Sequence, residues 1–287
     1  MGLTEKNYHF GGVDLTVQMP EEQIYLDEAD LAPFASDRCP DGHRYIFELV
    51  DCLDPPVGTV RTVLPNLRVY FDCGGQIRYH GAVKDVWDKA YARGEHRGRL
   101  HRIQLKRSRF PGRIEARVVL NCLSVENLLA EKGGTILHSS FISWENRGIL
   151  FTAPSGTGKS TQADLWARHR GAQILNGDRA VIRIEQDQPL AGGLPYAGSS
   201  GICINRELPL AAVVYLSQAS TTTIRRLTGF EAFRFLWEGC SVNIWDRENV
   251  DRISETVAGI CQRVPVFHLA CTPDLSAVTA LEQALKE

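Results

Sequence analysis

The chain has 287 residues, enough for one large domain or two small ones and long enough to fold around apolar cores without staples. Its composition, 44% hydrophobic and 23% charged with 25 Gly and 13 Pro, excludes collagen-like, fibrous and wholly disordered classes. A formal net charge of −2 removes any global field that would commit it to nucleic acid or anionic membrane, yet residues 93 to 117 hold nine Lys/Arg against two Glu.

Taken in chain order, residues 1–10 lack the apolar core of a secretory signal. No apolar run reaches the roughly 20 residues that span a bilayer, so the expectation is a cytoplasmic protein away from membranes. Eight cysteines, at 39, 52, 73, 122, 203, 240, 261 and 271, form no C-x-x-C pair. Their apolar surroundings predict reduced core cysteines rather than a disulfide framework or a zinc site.

Residues 1–118 are predicted as a β-rich N-terminal domain. Segments 13–17, 45–50, 67–71 and 118–120 are rich in β-branched and aromatic residues. Clusters of Gly, Pro and Asp at 39–42, 54–58 and 73–75 separate them, and 85–93 is predicted as a short helix. Residues 119–287 are predicted as an α/β domain. Ser124 is placed as an N-cap for a helix over 125–132, stopped by Gly133-Gly134. Strands follow at 135–138 and 148–152, a helix at 159–170 ending at Gly171, and strands at 172–175, 181–184 and 210–216. Helices at 230–238 and 250–263, a strand at 266–269 and a helix at 275–285 complete the alternation that marks an α/β core.

Residues 148–161 read G-I-L-F-T-A-P-S-G-T-G-K-S-T. An apolar strand enters a glycine turn, and Lys-Ser-Thr opens a helix, which is the setting a phosphate-binding loop requires. Gly156 and Gly158 let the backbone curl so that successive N–H groups face inward toward a polyphosphate. Ser155, Gly156, Thr157, Gly158, Lys159, Ser160 and Thr161 are therefore the candidate nucleotide-binding residues. Lys159 supplies a mobile cation for the outer phosphates and Ser160 a hydroxyl for Mg²⁺. Ala153 stands where the consensus has glycine.

Such a loop needs a carboxylate, and Asp178, at the end of the next apolar strand and 19 residues after Lys159, is the best placed. Asp164, on the loop helix, and Asp187, in a predicted hairpin turn, compete less well. The competing reading of N-G-D-R is a solvated turn. Asp178 is expected to help hold the metal or to accept the acceptor's proton, with Lys159 keeping it ionised.

These residues resemble the HPr kinase/phosphorylase and phosphoenolpyruvate carboxykinase superfamily over roughly residues 120–287. The likeness rests on the 153–161 loop, on I-L-N-G-D-R at 174–179, on His138 upstream of the loop strand, and on G-I-C-I-N at 201–205. The family's acidic pair is Gly177-Asp178 here, and Gly198, Ser199 and Ser200 stand where its glutamate precedes the last segment. The likeness implies a P-loop kinase core and transfer of the γ-phosphoryl group of ATP, with Mg²⁺, to a hydroxyl. Within the family it looks most like the divergent serine kinases that tailor peptides in biosynthetic clusters, so a peptide or protein acceptor is implied. Lys159, Asp178 and His138 would be the catalytic residues, Ser160 and Asp178 the metal ligands, and Arg179 and Asn205 acceptor contacts. Homo-oligomerisation is implied by resemblance alone.

Two other readings stand beside this one: a kinase of a small hydroxylated metabolite, and an ATP-binding switch without turnover. The basic block alternates apolar and basic residues over part of its length, as a half-exposed strand does. It lacks the aromatic platform of a nucleic-acid binder. Arg107 and Arg109 in it are the candidate docking contacts for an acidic or phosphorylated acceptor.

Overall fold

A computed structural model describes residues 3–20, 25–27, 29–37, 42–81 and 89–286. The chain divides into two compact units, Met1–His9 with Val13–Val125, and Phe10–Gly12 with Glu126–Glu287.

The first unit is built from strands β1 (Leu3–Phe10), β2 (Val13–Pro20), β3 (Tyr25–Asp27), β4 (His43–Val50), β5 (Thr59–Leu64), β6 (Leu67–Asp72), β7 (Gly75–His80), β8 (Ala92–Arg97), β9 (Leu100–Lys106) and β10 (Arg113–Glu115), followed by helix α1 (Ala116–Leu123). Eight of them form one sheet in the order β1-β2-β4-β9-β8-β7-β6-β5, while β10 pairs with β3. Leu15, Tyr45, Phe47, Val69, Ile77, Tyr79 and Ile103 are buried, at the alternating positions that a one-faced core demands.

Four expectations fail here. Residues 118–120 are not a strand but lie in α1, because Ala116, Val119, Leu120 and Leu123 recur at helical spacing and bury one stripe. Ser124 does not cap the following helix: it is the left-handed residue ending α1 (φ 54°), and its hydroxyl lies 3.2 Å from His96 Nε2. Of the predicted helix 85–93, residues 85–88 lie outside the described residues and Ala92–Arg93 open β8, paired with Leu105 and Gln104. Residues 39–41 of the predicted 39–42 turn also lie outside them. Cys52 and Cys73 are exposed, so the core reading does not hold for these two.

The second unit holds α2 (Val125–Glu131), β11 (Gly134–Trp144), β12 (Arg147–Thr152), α3 (Lys159–Arg170), β13 (Gln173–Asn176), β14 (Arg179–Glu185), β15 (Gln188–Gly193), β16 (Glu207–Gln218), β17 (Thr223–Leu227), α4 (Gly229–Glu238), α5 (Arg247–Arg263), β18 (Val266–Cys271) and α6 (Leu275–Ala284). It is mixed α/β. Two long strands organise it. The first half of β11 pairs with β14 and its second half with β12 and β13. The start of β16 pairs with β15 and the rest with β12 and β18. Because β14 also pairs with β15, the strands β11-β14-β15-β16-β12 close into a ring.

Strand alternation separates two cores. Ile149, Phe151, Val214 and Leu269 face α3 and α6 through Ala163, Trp166, Val278 and Leu281. Leu150, Val213 and Val266 face α4 and α5 through Leu236, Ile253, Val257 and Ile260. Among the described residues no helix is long and apolar enough to cross a membrane.

Candidate functional site

Strands β12 and β13 both run antiparallel to β11, on its two sides, and so run parallel to each other. They are joined by α3, and the chain leaves both at the same end of the sheet. Thr152, the last residue of β12, pairs with Ser139, and the Ser139 N–H donates to the Asp178 carbonyl at 3.0 Å. The turn after β12 and the turn after β13 thus flank one rung of β11, at the carboxyl end of parallel strands where α/β sheets take ligands.

The turn after β12 is shaped by glycine conformation. Gly156 has φ 79° and Gly158 φ 119°, and a Cβ at either would meet nothing within 4 Å. The demand for glycine is therefore backbone torsion rather than crowding. Gly158 caps α3 without any side-chain bond, so the first N–H groups of that helix have no partner within it. Lys159 is buried, and its Nζ donates to the carbonyls of Ala153 (3.0 Å) and Pro154 (3.4 Å). Ser155, Gly156, Ser160 and Thr161 are exposed, and Thr157 and Gly158 half-buried. Ala153 is buried in the α3-side core, which gives its methyl a packing role at the position where the consensus has glycine.

The turn after β13 is held by a fully buried asparagine. Asn176 Oδ1 accepts the N–H groups of Asp178 (2.9 Å) and Arg179 (3.0 Å), while its Nδ2 donates to the Leu194 carbonyl (2.8 Å). This Asx turn aims Asp178 outward. His138 and Arg179 are register partners on β11 and β14, and they flank the carboxylate: His138 Nε2 is 3.5 Å from Oδ1 and Arg179 Nε 3.3 Å from Oδ2. The Arg179 guanidinium also lies 4.8 Å over the Tyr196 ring. His138 is anchored through its backbone, donating to Gly239 (2.8 Å) and accepting from Thr152 Oγ1 (3.0 Å).

The neighbouring Gly198–Ser200 turn closes against this carboxylate. A Cβ on Gly198 (φ 57°) would lie 2.6 Å from Asp178 Cβ, and one on Gly177 would lie 2.2 Å from Ser200 Oγ. The second acid of the resembled family has no room at 177 while Ser200 stands there.

The charges are coupled. The His138 contact holds the Asp178 carboxyl below the usual carboxylate range; Arg179 adds to this and burial opposes it. The nearest partners, His138 and Arg179, dominate the carboxylate, and Asp178 and Lys159 also sense each other. Burial lowers the Lys159 pKa from 10.5, and the Asp178 carboxylate partly restores it.

The expected residues therefore fall into two groups. His138, Asp178 and Arg179 converge, at one sheet end with the 153–158 turn and Lys159. Asn205 is exposed, just after Cys203 and Ile204, which run beside β13 through an Asn176–Cys203 bridge and an Ile204 N–H to Leu175 bond of 2.8 Å. Arg107 and Arg109 belong to the other unit, in an exposed 3₁₀ turn where Arg107 lies 3.6 Å from Asp51. Four contributors had no role assigned from the sequence: Asn176, Tyr196, Gly198 and Ser200. The N-G-D-R string carried the Asx-turn signal for the first, but the other three contacts are long-range.

The residues suit a magnesium–polyphosphate group. The turn presents torsionally committed glycines, a buried ammonium and a helix start, while Ser160 and Asp178 offer hard oxygen ligands. Among the described residues no group of three or more His, Cys, Asp or Glu could hold a metal ion. A magnesium ion here would share phosphate oxygens and water, as this ion ordinarily does.

No family model and no curated protein matches the chain. Among solved structures it is similar to the HPr(Ser) kinase/phosphatase from Coxiella burnetii, at 15% identity and a TM-score of 0.32, over 53% of this chain and 91% of that one. So low a score fixes no shared fold. The structure itself defines a mixed α/β protein with a glycine turn and a flanked carboxylate at one sheet end.

Proposed function

We propose that this chain is an ATP-dependent phosphotransferase acting on a hydroxyl acceptor, in the first instance a serine-type hydroxyl of a peptide or protein. One observation carries the reading: Asp178, ionised by His138 and Arg179, stands at the same sheet end as the 153–158 turn and Lys159. When bound, magnesium ATP supplies the electrophilic phosphorus. The 156–161 backbone N–H groups and Lys159 hold the phosphates, and Ser160 and Asp178 hold the metal. Such transfer depends on positioning and on charge stabilisation rather than on a strong base. Asp178, acidified by its neighbours, orients the acceptor hydroxyl. Arg179, stacked on Tyr196 and fixed through Nε, keeps its remaining N–H groups for a phosphate oxygen. His138 holds the carboxylate in place. The basic turn bearing Arg107 and Arg109 docks an acidic acceptor.

The test is mass-shift assay of candidate peptides with ATP, alongside nucleotide affinity. Lys159→Ala and Asp178→Asn should each abolish transfer in a folded protein. Near-normal turnover of Asp178→Asn would remove Asp178 from the site. A second reading, an ATP-binding switch, is favoured by the lone carboxylate beside Gly177. Tight ATP binding without turnover on any acceptor would select it.

A further inference from the structure

The second unit contains another hydroxyl–imidazole pair that the proposed transfer does not use. Ser217 on β16 and His268 on β18 sit on adjacent parallel strands, with Ser217 Oγ 2.8 Å from His268 Nε2. Both residues are half-buried. The β12–β16 register sets Thr152 beside Tyr215. Ser217 lies two residues beyond that rung, one residue before β16 ends at Gln218. This places the pair at the carboxyl end of the strand next to the turn.

The imidazole is held on several sides. It stacks on Phe235 of α4 with centroids 5.9 Å apart, and Tyr215 meets it edge-on at 5.9 Å. On β17 its register partner is Arg225, whose guanidinium is bonded to Glu231 of α4 at 2.8 Å. Burial and Arg225 lower the His268 pKa from 6.5, while Glu231 opposes them, which favours the neutral ring. In the tautomer that carries its proton on Nδ1, Nε2 would accept the Ser217 O–H. A hydroxyl in contact with a neutral imidazole that is itself fixed by other groups is the arrangement of an activated nucleophile.

We propose that Ser217 is a phosphoryl-acceptor site within the chain itself, with His268 as its general base. The phosphoryl donor rests on the function proposed above. In the step, Ser217 Oγ attacks the γ-phosphorus of a nucleoside triphosphate. The Oγ–P bond forms and the bond from γ-phosphorus to the β–γ bridging oxygen breaks. The hydroxyl proton passes to His268 Nε2, the nucleoside diphosphate departs with the electron pair, and the imidazolium returns its proton to water.

The experiment incubates the full chain with magnesium ATP, maps phosphate by peptide mass spectrometry and follows ADP release in the same tubes. The expected result is a phosphate on Ser217 that Ser217→Ala and Lys159→Ala abolish. His268→Gln should slow the labelling by about 10²-fold, the usual loss of a general base, while ATP affinity in Ser217→Ala and His268→Gln stays at the wild-type value. Should Ser217→Ala fail to fold, Ser217→Thr must carry the label on its own side chain at 217. ADP release or acceptor phosphorylation with residue 217 unmodified would overturn the site and leave the kinase reading intact. If the chain neither binds nor turns over ATP, the kinase reading falls and a fluorophosphonate probe, which needs no nucleotide, decides the pair. His268-dependent modification of Ser217 then supports the activated nucleophile, and its absence overturns it.

Discussion

The buried Asn176 side chain, through one oxygen, accepts the backbone N–H of Asp178 at 2.9 Å, and the same oxygen accepts Arg179 at 3.0 Å. The direction in which the site's carboxylate points is thus set by a residue that does not reach solvent. Asn176→Ala leaves these two N–H groups without their acceptor, at about 1–3 kcal/mol for a buried polar group left unpaired, while the Leu194 carbonyl keeps the Tyr196 N–H at 2.7 Å. The expected outcome is a lower melting midpoint together with a fall in kcat that exceeds any change in nucleotide affinity. Calorimetry and steady-state kinetics on the same variant check it.

The coupling of Lys159 to Asp178 predicts a pH profile. Burial depresses the lysine's folded pKa below 10.5 and Asp178 raises it part of the way back. Binding of inorganic tripolyphosphate, followed by titration calorimetry, should weaken at a pH below that of a free lysine. In Asp178→Asn the carboxylate's support is gone, so the alkaline limb should move to still lower pH. An unmoved limb would show that the two charges do not sense each other.

Crowding at Gly177 makes a structural prediction. An aspartate there would drive its Cβ toward Ser200 Oγ, which lies 2.2 Å from the ideal position. Gly177→Asp should destabilise by about 1–3 kcal/mol, the usual range for overpacking. Combining it with Ser200→Gly should recover most of that loss, and thermal melts of the single and double variants measure the coupling. Gly198→Ala, at φ 57° and against Asp178 Cβ, should lower kcat by displacing the carboxylate.

The first unit should be acid-labile. Buried His43 and His101 and half-buried His96 form a chain, with His43 Nδ1 2.9 Å from His101 Nε2 and His101 Nδ1 3.2 Å from His96 Nδ1. Burial first, and Arg78 second, pushes His80 down to about 3 and His96 well below 6.5. The folded state therefore binds fewer protons than the unfolded one. Stability is complete above pH 6.5 and falls as pH drops below it, by about 1.4 kcal/mol per pH unit for each such histidine. Hydrogen exchange of the β7–β9 peptides at pH 7.5 and 5.5 should show the loss. His80→Leu should flatten the slope by about one histidine's share.

Elements whose signals lie within a few consecutive residues were readable from the chain. The helix at 159–170 has its predicted bounds because Gly158 and Gly171, both at positive φ, mark its ends. The 148–152 strand and the turn that follows were equally local. Residues 118–120 carry the β-branched Val118 and Val119, but the helical spacing of Ala116, Val119, Leu120 and Leu123 buries one stripe and decides the element. Strands β15 and β17 went unread: Gln188–Gly193 is glycine-ended and short, and Thr223–Leu227 is largely exposed, so neither shows the apolar signature of a core strand.

What the sequence determined by itself is the phosphate-suited turn, the helix it opens and a candidate carboxylate after the next strand, because torsion, capping and apolar runs are properties of neighbouring residues. Only the tertiary structure decided which groups surround that carboxylate. His138 comes from 40 residues earlier, and Tyr196 and the Gly198–Ser200 turn from about 20 residues later in the chain. Their approach depends on the antiparallel register of β11 with β14 and on the closure of the strand ring, and pairing partners are chosen by the packing of whole strands rather than by any short string of residues.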